Sequence, residues 1–313
     1  MTETLLFDAA LIALILGVTV WTLAVRDTIA AVIGFVVWGL LIAFAWVRLA
    51  AVDIALTEVA IGSGVTGMLL LRAGAQARKF DAPVKPVNRT TSIIAGALCG
   101  VVFVVLAAVV LLATGPGPTL APQVAESLPL TGLGNPVTAV LLAYRAFDTL
   151  LEKVVLMLAL LGVWSVAADR AWGRPPELWT ASRRDGVLRF FAQVLAPVGI
   201  VFAIYTFWAG ADVPGGAFQA SAVLAAIWLI VVMAGLARLP ATGSPALRLS
   251  LVAGAAIFLV VGIAGVHIAG AFLAYPPDFA KALIIAIEAG MVWSVAATLA
   301  LLVAGPPQAG ERR

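Results

Sequence analysis

Nine apolar stretches follow one another through almost the whole sequence, and no other feature limits the possible folds so tightly. They run at about Leu5 to Val25, Thr28 to Val47, Ile54 to Leu71, Ser92 to Ala113, Pro136 to Ala168, Leu188 to Trp208, Gly215 to Leu236, Leu247 to Ile268 and Ala282 to Ala304. A hydrocarbon core about 30 Å thick takes about 20 helical residues. Inside it every backbone N–H and C=O must be satisfied within the protein, which favours helices. The expected fold is an all-α polytopic integral membrane protein of about nine transmembrane helices. Composition agrees: 63% of the 313 residues are hydrophobic and 11% charged, with a mean hydropathy of +1.11, outside the range of soluble domains. With one histidine and one cysteine, Cys99 in an apolar run, the chain has no disulfide framework and too few soft ligands for haem, iron–sulfur or structural zinc. No cofactor and no enzymatic chemistry are expected. Met1 to Asp8 lacks the basic start of a secretory signal, so the first stretch is expected to be retained as a helix.

Cytoplasmic loops collect Lys and Arg. Residues 72 to 91 hold Arg72, Arg78, Lys79, Lys85 and Arg89, and residues 169 to 189 hold Arg170, Arg174, Arg183, Arg184 and Arg189. The intervening loop, 114 to 135, has neither Lys nor Arg. Working outward from these anchors places the N-terminus outside and the C-terminus in the cytoplasm, leaving only Arg48 and Lys281 of nineteen basic residues in outside loops. The net charge of +3 is no nucleic-acid footprint, because the basic residues gather at helix ends. The lipid bilayer of the cell (inner) membrane is the expected surrounding.

Within this apolar frame, Tyr144 to Lys153, YRAFDTLLEK, is a polar patch. Arg145, Asp148 and Glu152 are spaced i, i+3 and i+7 and would share one helix face. Only fifteen apolar residues follow, Val154 to Ala168, so the span should begin before the patch and carry it into the bilayer. An ionisable group there marks an ion or proton path unless it is a structural pair, here Arg145 with Asp148. Lys153, next to Glu152, places a cation close by.

Further polar positions fall near the outer ends of the expected spans. Glu58 follows Asp53 in DIALTEVAIGSGVTG, Glu288 lies early in the last helix, and His267 ends the eighth. Asp53 also reads as a helix N-cap with Thr57 on its face, and His267 as an interfacial hydrogen-bonding residue. A lone carboxylate such as Glu58 or Glu288 stays protonated or meets a cation or basic partner. Together with Asp148 and Glu152 they suggest a vestibule or half-channel opening outward. Gly62, Gly64 and Gly67 suit close helix packing rather than a phosphate loop, which needs a Lys and a strand-to-helix turn. In DVPGGAFQ, Pro214, Gly215 and Gly216 suggest a tight turn or broken helix start whose amides meet an anion or a partner, with Gln219 one turn inside to bond across helices.

These motifs resemble known transporter modules. Leu188 to Ala304, through GADVPGGAFQASAVLAA at Gly210 to Ala226 and the IEAG of Ile287 to Gly290, resembles the MnhB or MrpB component of the Mrp-type multisubunit cation/proton antiporters. VDIALTEVAIGSGVTGMLLLRA, Val52 to Ala73, is similar to MbhD, a small component of membrane-bound hydrogenases, and NPVTAVLLAYRAFDTLLEKVVLMLALLGV, Asn135 to Val163, to their MbhE component. In the antiporters the counterparts of these two modules form the C-terminal part of the large MrpA component. The basic stretches at 72–91 and 169–189 then divide the chain into modules 1–91, 92–187 and 188–313, of three, two and four helices.

The resemblance implies a scaffold and ion-path role next to a larger proton-pumping partner, exchanging Na+ or K+ for protons. It also implies acidic path residues at Asp53 and Glu58, at Asp148 and Glu152, and at Glu288. The sequence departs from the pattern at Lys153, where an uncharged residue is expected, at Ala217 and Ala220, where glycines are usual, and in lacking the long pumping region. Two other functions fit the same modules: the ion-translocating arm of a hydrogenase-like redox complex, and a structural adaptor whose buried charges lock helices together.

Overall fold

The computed structural model describes residues 2–79, 88–112, 115, 117, 119–176, 178 and 186–308. The loop residues 80–87, most of 177–185 and the C-terminal Arg312 and Arg313, on which the orientation argument leans, lie outside the described residues. Among the described residues all regular structure is helical. The helices are α1 (Thr2–Ala24), α2 (Thr28–Arg48), α3 (Val52–Thr57), α4 (Thr66–Lys79), α5 (Arg89–Leu112), α6 (Ala121–Ser127), α7 (Pro136–Ala139), α8 (Ala146–Ser165), α9 (Gly186–Ala209), α10 (Ala217–Met233), α11 (Pro245–Ala269) and α12 (Ala280–Ala304). All nine expected apolar stretches coincide with helix. Among the described residues, seven helical segments are long and apolar enough to cross a membrane. Of the other two stretches, α10 is 17 residues long. The other is broken at Arg145 and carries three charges in α8, Asp148, Glu152 and Lys153.

Local chemistry sets the ends. The Asp27 carboxylate accepts from the Ala30 N–H at 2.8 Å and starts α2. Asn135 does the same for α7 through the Val137 N–H at 2.9 Å, with Pro136 in the first turn, where a missing N–H costs nothing. Gly270, at φ 81°, closes α11 in the left-handed conformation. α3 and α4 form one continuous rod, wound as π-helix over Glu58–Val65. A second π-helical turn at Val140–Tyr144 precedes the break, where the Arg145 N–H reaches the Val140 carbonyl at 2.8 Å. Such turns shift the hydrogen-bond ladder by one residue and cluster at functional positions.

α12 is the centre of the bundle. It packs against α10 and α11, and also against α8. Fifteen of its 25 residues are buried, including Glu288, Ser294 and Thr298. Membrane helices gain little from hydrophobicity against one another and rely on close packing and hydrogen bonds. α12 uses both. A Cβ on Gly254 of α11 would lie 3.0 Å from the Ser294 side chain, so the two helices meet through a missing side chain. Ser294 Oγ donates to the Leu251 carbonyl at 2.8 Å.

The charged patch differs from expectation. The chain breaks at Arg145 (φ −128°, ψ 35°) instead of running through it, so Arg145 precedes α8 and the patch forms that helix's first turns. Arg145 still pairs with Asp148, at 2.5 Å, and both side chains are more than half exposed. The break turns the chain sharply. Thr149 Oγ1 donates to the Leu141 carbonyl at 2.6 Å, whereas residues eight apart on a straight helix stand about 12 Å apart.

Candidate ion and proton site

Three distant stretches of chain meet at the end of the bundle where α12 begins. Asp53, in the first turn of α3, is the joint. Its Oδ1 accepts from Asn135 Nδ2 at 3.2 Å and from the Gly215 N–H at 3.1 Å. The N-cap expectation for Asp53 is therefore wrong. Ala51 occupies that position without a side-chain cap, and the Asp53 carboxylate is turned outward to bond two other elements. Asn135 Nδ2 is shared with the Val213 carbonyl at 3.1 Å, and Thr138 Oγ1 donates to the Gly210 carbonyl at 2.6 Å. Asp212 holds Lys281 at 2.7 Å and accepts from the Gly134 N–H at 3.2 Å.

The turn before α10 fits the sequence expectation in kind. Gly216 has φ 128°, a conformation that suits glycine, and it precedes the first residue of α10. A Cβ at Gly210 would run into the backbone of Gly215 and Gly216, so this turn needs close backbone contact on both sides. Pro214 leads into it, and the anion met by its amides is Asp53. Gln219, one turn into α10, donates from Nε2 to Thr57 Oγ1 at 2.9 Å, across to the rod that carries Asp53.

Beneath this knot lies a cavity of about 340 Å³ lined by Asp53, Thr57, Thr138, Thr149, Glu152, Gln219 and Glu288 among apolar side chains that include Met291. Glu288 is buried, 3% exposed. Its carboxylate accepts from the Ala217 N–H at the start of α10, where the helix dipole favours an anion. Among the described residues, Oε2 has no protein partner. Glu152 belongs to the opposite wall and is exposed, so it stands at the open rim. The cavity thus presents an ordered carboxylate, a buried one with a free oxygen and a rim one, interleaved with hydroxyls and an amide.

Other expected residues are elsewhere. Glu58 opens the π-helical segment and points at Gly62 and Gly39, where a Cβ would strike its carboxylate; it does not line the cavity. Gly62 therefore makes room for Glu58, Gly67 meets Val36 of α2 as helix packing requires, and Gly64 faces the carbonyl of Val59 on its own rod. Asp148 is held by Arg145 outside the cavity. His267, in the last turn of α11, is exposed and apart from it. Lys153 departs furthest from expectation. It does not pair with Glu152. It is fully buried, and Nζ donates to Thr298 Oγ1 of α12 at 2.9 Å. Successive helix residues point about 100° apart, so neighbours in sequence face the cavity rim and the core. Sequence reasoning misses Thr57, Thr138 and Thr149 as cavity residues. Their spacing on the acidic helices, Asp53 to Thr57 and Thr149 to Glu152, is the available signal.

Known proteins resemble this chain in parts and in fold. Residues 13–79 match the MbhD family, the D component of MBH, and residues 187–306 match a domain related to the MnhB subunit of Na+/H+ antiporter. The uncharacterized protein MJ1307 of Methanocaldococcus jannaschii is 30% identical over 154 residues, 44% of this chain and 59% of that relative. The match thus spans less than two thirds of the curated relative. A solved structure of the Mrp complex from Dietzia sp. DQ12-45-1b contains a chain that superposes with a TM-score of 0.75 at 24% identity, covering 97% of this chain and 35% of that one. The chain is a multi-pass membrane protein that joins an MbhD-type module to an MnhB-related module in the fold of an Mrp complex chain.

Proposed function

We propose that the chain is a membrane component of a multisubunit cation/proton antiporter that exchanges Na+ or K+ for protons across the cell membrane, and that it catalyses no chemical conversion. The observation that carries this reading is Glu288, a buried carboxylate with an oxygen free of protein partners among the described residues, sharing a cavity with Glu152 and Asp53. A carboxylate in a dry bundle is neutral when protonated and needs a compensating cation when it is not. Glu288 alternates between those states, Glu152 passes charge between it and the rim, and Asp53 is the fixed joint that keeps the three walls in register. Glu58, Asp148 and His267 extend the path toward neighbouring chains of the complex. The chain spans three modules, 1–91, 92–187 and 188–313, with the N-terminus outside, so the cavity opens to the outer face. A larger proton-pumping partner, with other membrane subunits, completes the transporter.

The match of residues 13–79 to an MBH component favours a second reading, the ion-translocating arm of a redox complex. Everted vesicles from an antiporter-deficient host expressing the operon separate the two. Proton flux that depends on added Na+ or K+, and not on choline, supports the antiporter. Flux that appears only with an electron donor supports the redox arm.

A further inference from the structure

The opposite end of the bundle carries a second built pocket, of about 320 Å³, between α8 and α11. Its walls are hydrocarbon from Met157, Leu160, Leu161, Leu251 and Val252, closed by the indoles of Trp164 and Trp172. Its polar groups sit together: the hydroxyl of Thr242 and the guanidinium of Arg248. Arg248 uses Nε on the Thr242 carbonyl, at 3.3 Å, and among the described residues it has no ion-pair partner. Trp164 is 4% exposed, and among the described residues its Nε1–H has no acceptor. The pocket wall thus holds a buried donor that the protein leaves unmet.

The mouth is basic. The turn at residues 169–174 is pinned to the one at 241–244 by the Thr242 N–H and Oγ1, which donate to the Arg174 carbonyl at 3.2 and 3.0 Å. A Cβ on Gly243 would lie 3.2 Å from Gly173. This contact keeps exposed Arg170 and Arg174 in the same loop cluster as Arg248, with Asp169 the acidic residue of that turn. A bridge between Pro176 and Pro307 ties the segment to the end of α12, away from the Glu288 cavity.

We infer that this pocket binds an anionic phospholipid, with the phosphate at Arg248 and an acyl chain along α8. The chemistry requires a ligand charged at one end and apolar at the other. Free phosphate would leave the carbon walls uncovered, and a zwitterionic lipid would bring its own cation to a basic mouth. Basic pockets between helices and interfacial tryptophans are the features that hold such headgroups.

Native mass spectrometry of the detergent-purified complex, mixed with phosphatidylglycerol or phosphatidylcholine, tests the site. Wild type should retain phosphatidylglycerol selectively, with millimolar inorganic phosphate failing to displace it. Arg248→Gln should reduce retention about tenfold, as expected for a lost charged hydrogen bond. Arg248→Lys should keep much of it, and Trp164→Phe should lose part. Equal retention by R248Q, equal retention of both lipids, or displacement by inorganic phosphate would overturn the proposal. If R248Q does not purify, Arg170→Gln with Arg174→Gln at the rim serves instead, and unchanged retention there overturns it.

Discussion

α5 and α12 are nearly the same length, 24 and 25 residues, and both are strongly apolar, yet they occupy opposite places in the molecule. No residue of α5 is buried, and a Cβ on Gly96 or Gly100 would meet nothing within 4 Å. α12 is mostly buried and carries Glu288, Ser294 and Thr298. Apolarity thus puts a helix in the membrane without saying what it touches. In hydrocarbon, lipid chains satisfy a Leu as well as another helix does, whereas a hydroxyl or carboxylate must find protein. Polar residues therefore mark which helix becomes the core.

The sharpest way to break this comparison is to add bulk to each helix. Ala300→Trp in α12, at a fully buried position, should cost about 3 kcal/mol or more and lower the thermal midpoint or abolish assembly. Gly100→Leu in α5 should stay within about 0.5 kcal/mol of wild type. Equal tolerance at both sites would refute the core assignment. A finer comparison sits inside α12. Thr298→Val strips the acceptor from buried Lys153 and should cost about 1–3 kcal/mol, while Lys153→Met, which removes the buried charge itself, should be neutral or stabilising. Detergent melting curves of the two variants check the order, and a reversed order would show that the lysine contributes more than its hydrogen bond.

The smallest expected effect lies between the helices. Tyr275, in the loop joining α11 to α12, has its hydroxyl buried without a partner among the described residues, and burial pushes its pKa up to about 12. An unfolded tyrosine ionises near 10. The folded chain thus holds this proton after the unfolded chain has lost it, and stability should fall as pH rises from about 10 through 12. Tyr275→Phe should remove that part of the alkaline loss. A melting profile above pH 10 that is identical in the two proteins would count against a buried hydroxyl.

The same contrast explains what is readable in the sequence. Each apolar stretch lands on helix, because a 20-residue run without charge has few alternatives in a bilayer. Gln219 is readable as a cross-helix donor for the same reason. The break at Arg145 is not, since the π-helical turn before it arises from how α7 and α8 pack, through Thr149 and Leu141, and no Gly or Pro marks it. Asp53 looks like a cap because its position near a helix start allows one. The Asn135 and Gly215 groups that claim it come from positions 82 and 162 residues away. Glu152 and Lys153 read as one charged unit, although helical geometry separates them. Of the acidic and histidine positions Asp53, Glu58, Asp148, Glu152, His267 and Glu288, only Asp53, Glu152 and Glu288 share the cavity, a convergence set by tertiary packing.

The central claim is that this cavity is an ion and proton path and not only a joint. Its most direct test is cation-dependent proton flux in everted vesicles carrying the whole complex, comparing wild type with Glu288→Gln and Glu152→Gln at matched complex content. The account predicts normal assembly with flux lost in both variants, because glutamine keeps the shape and removes the exchangeable charge. Normal flux at normal complex level in both variants would contradict it and leave the cavity a structural joint.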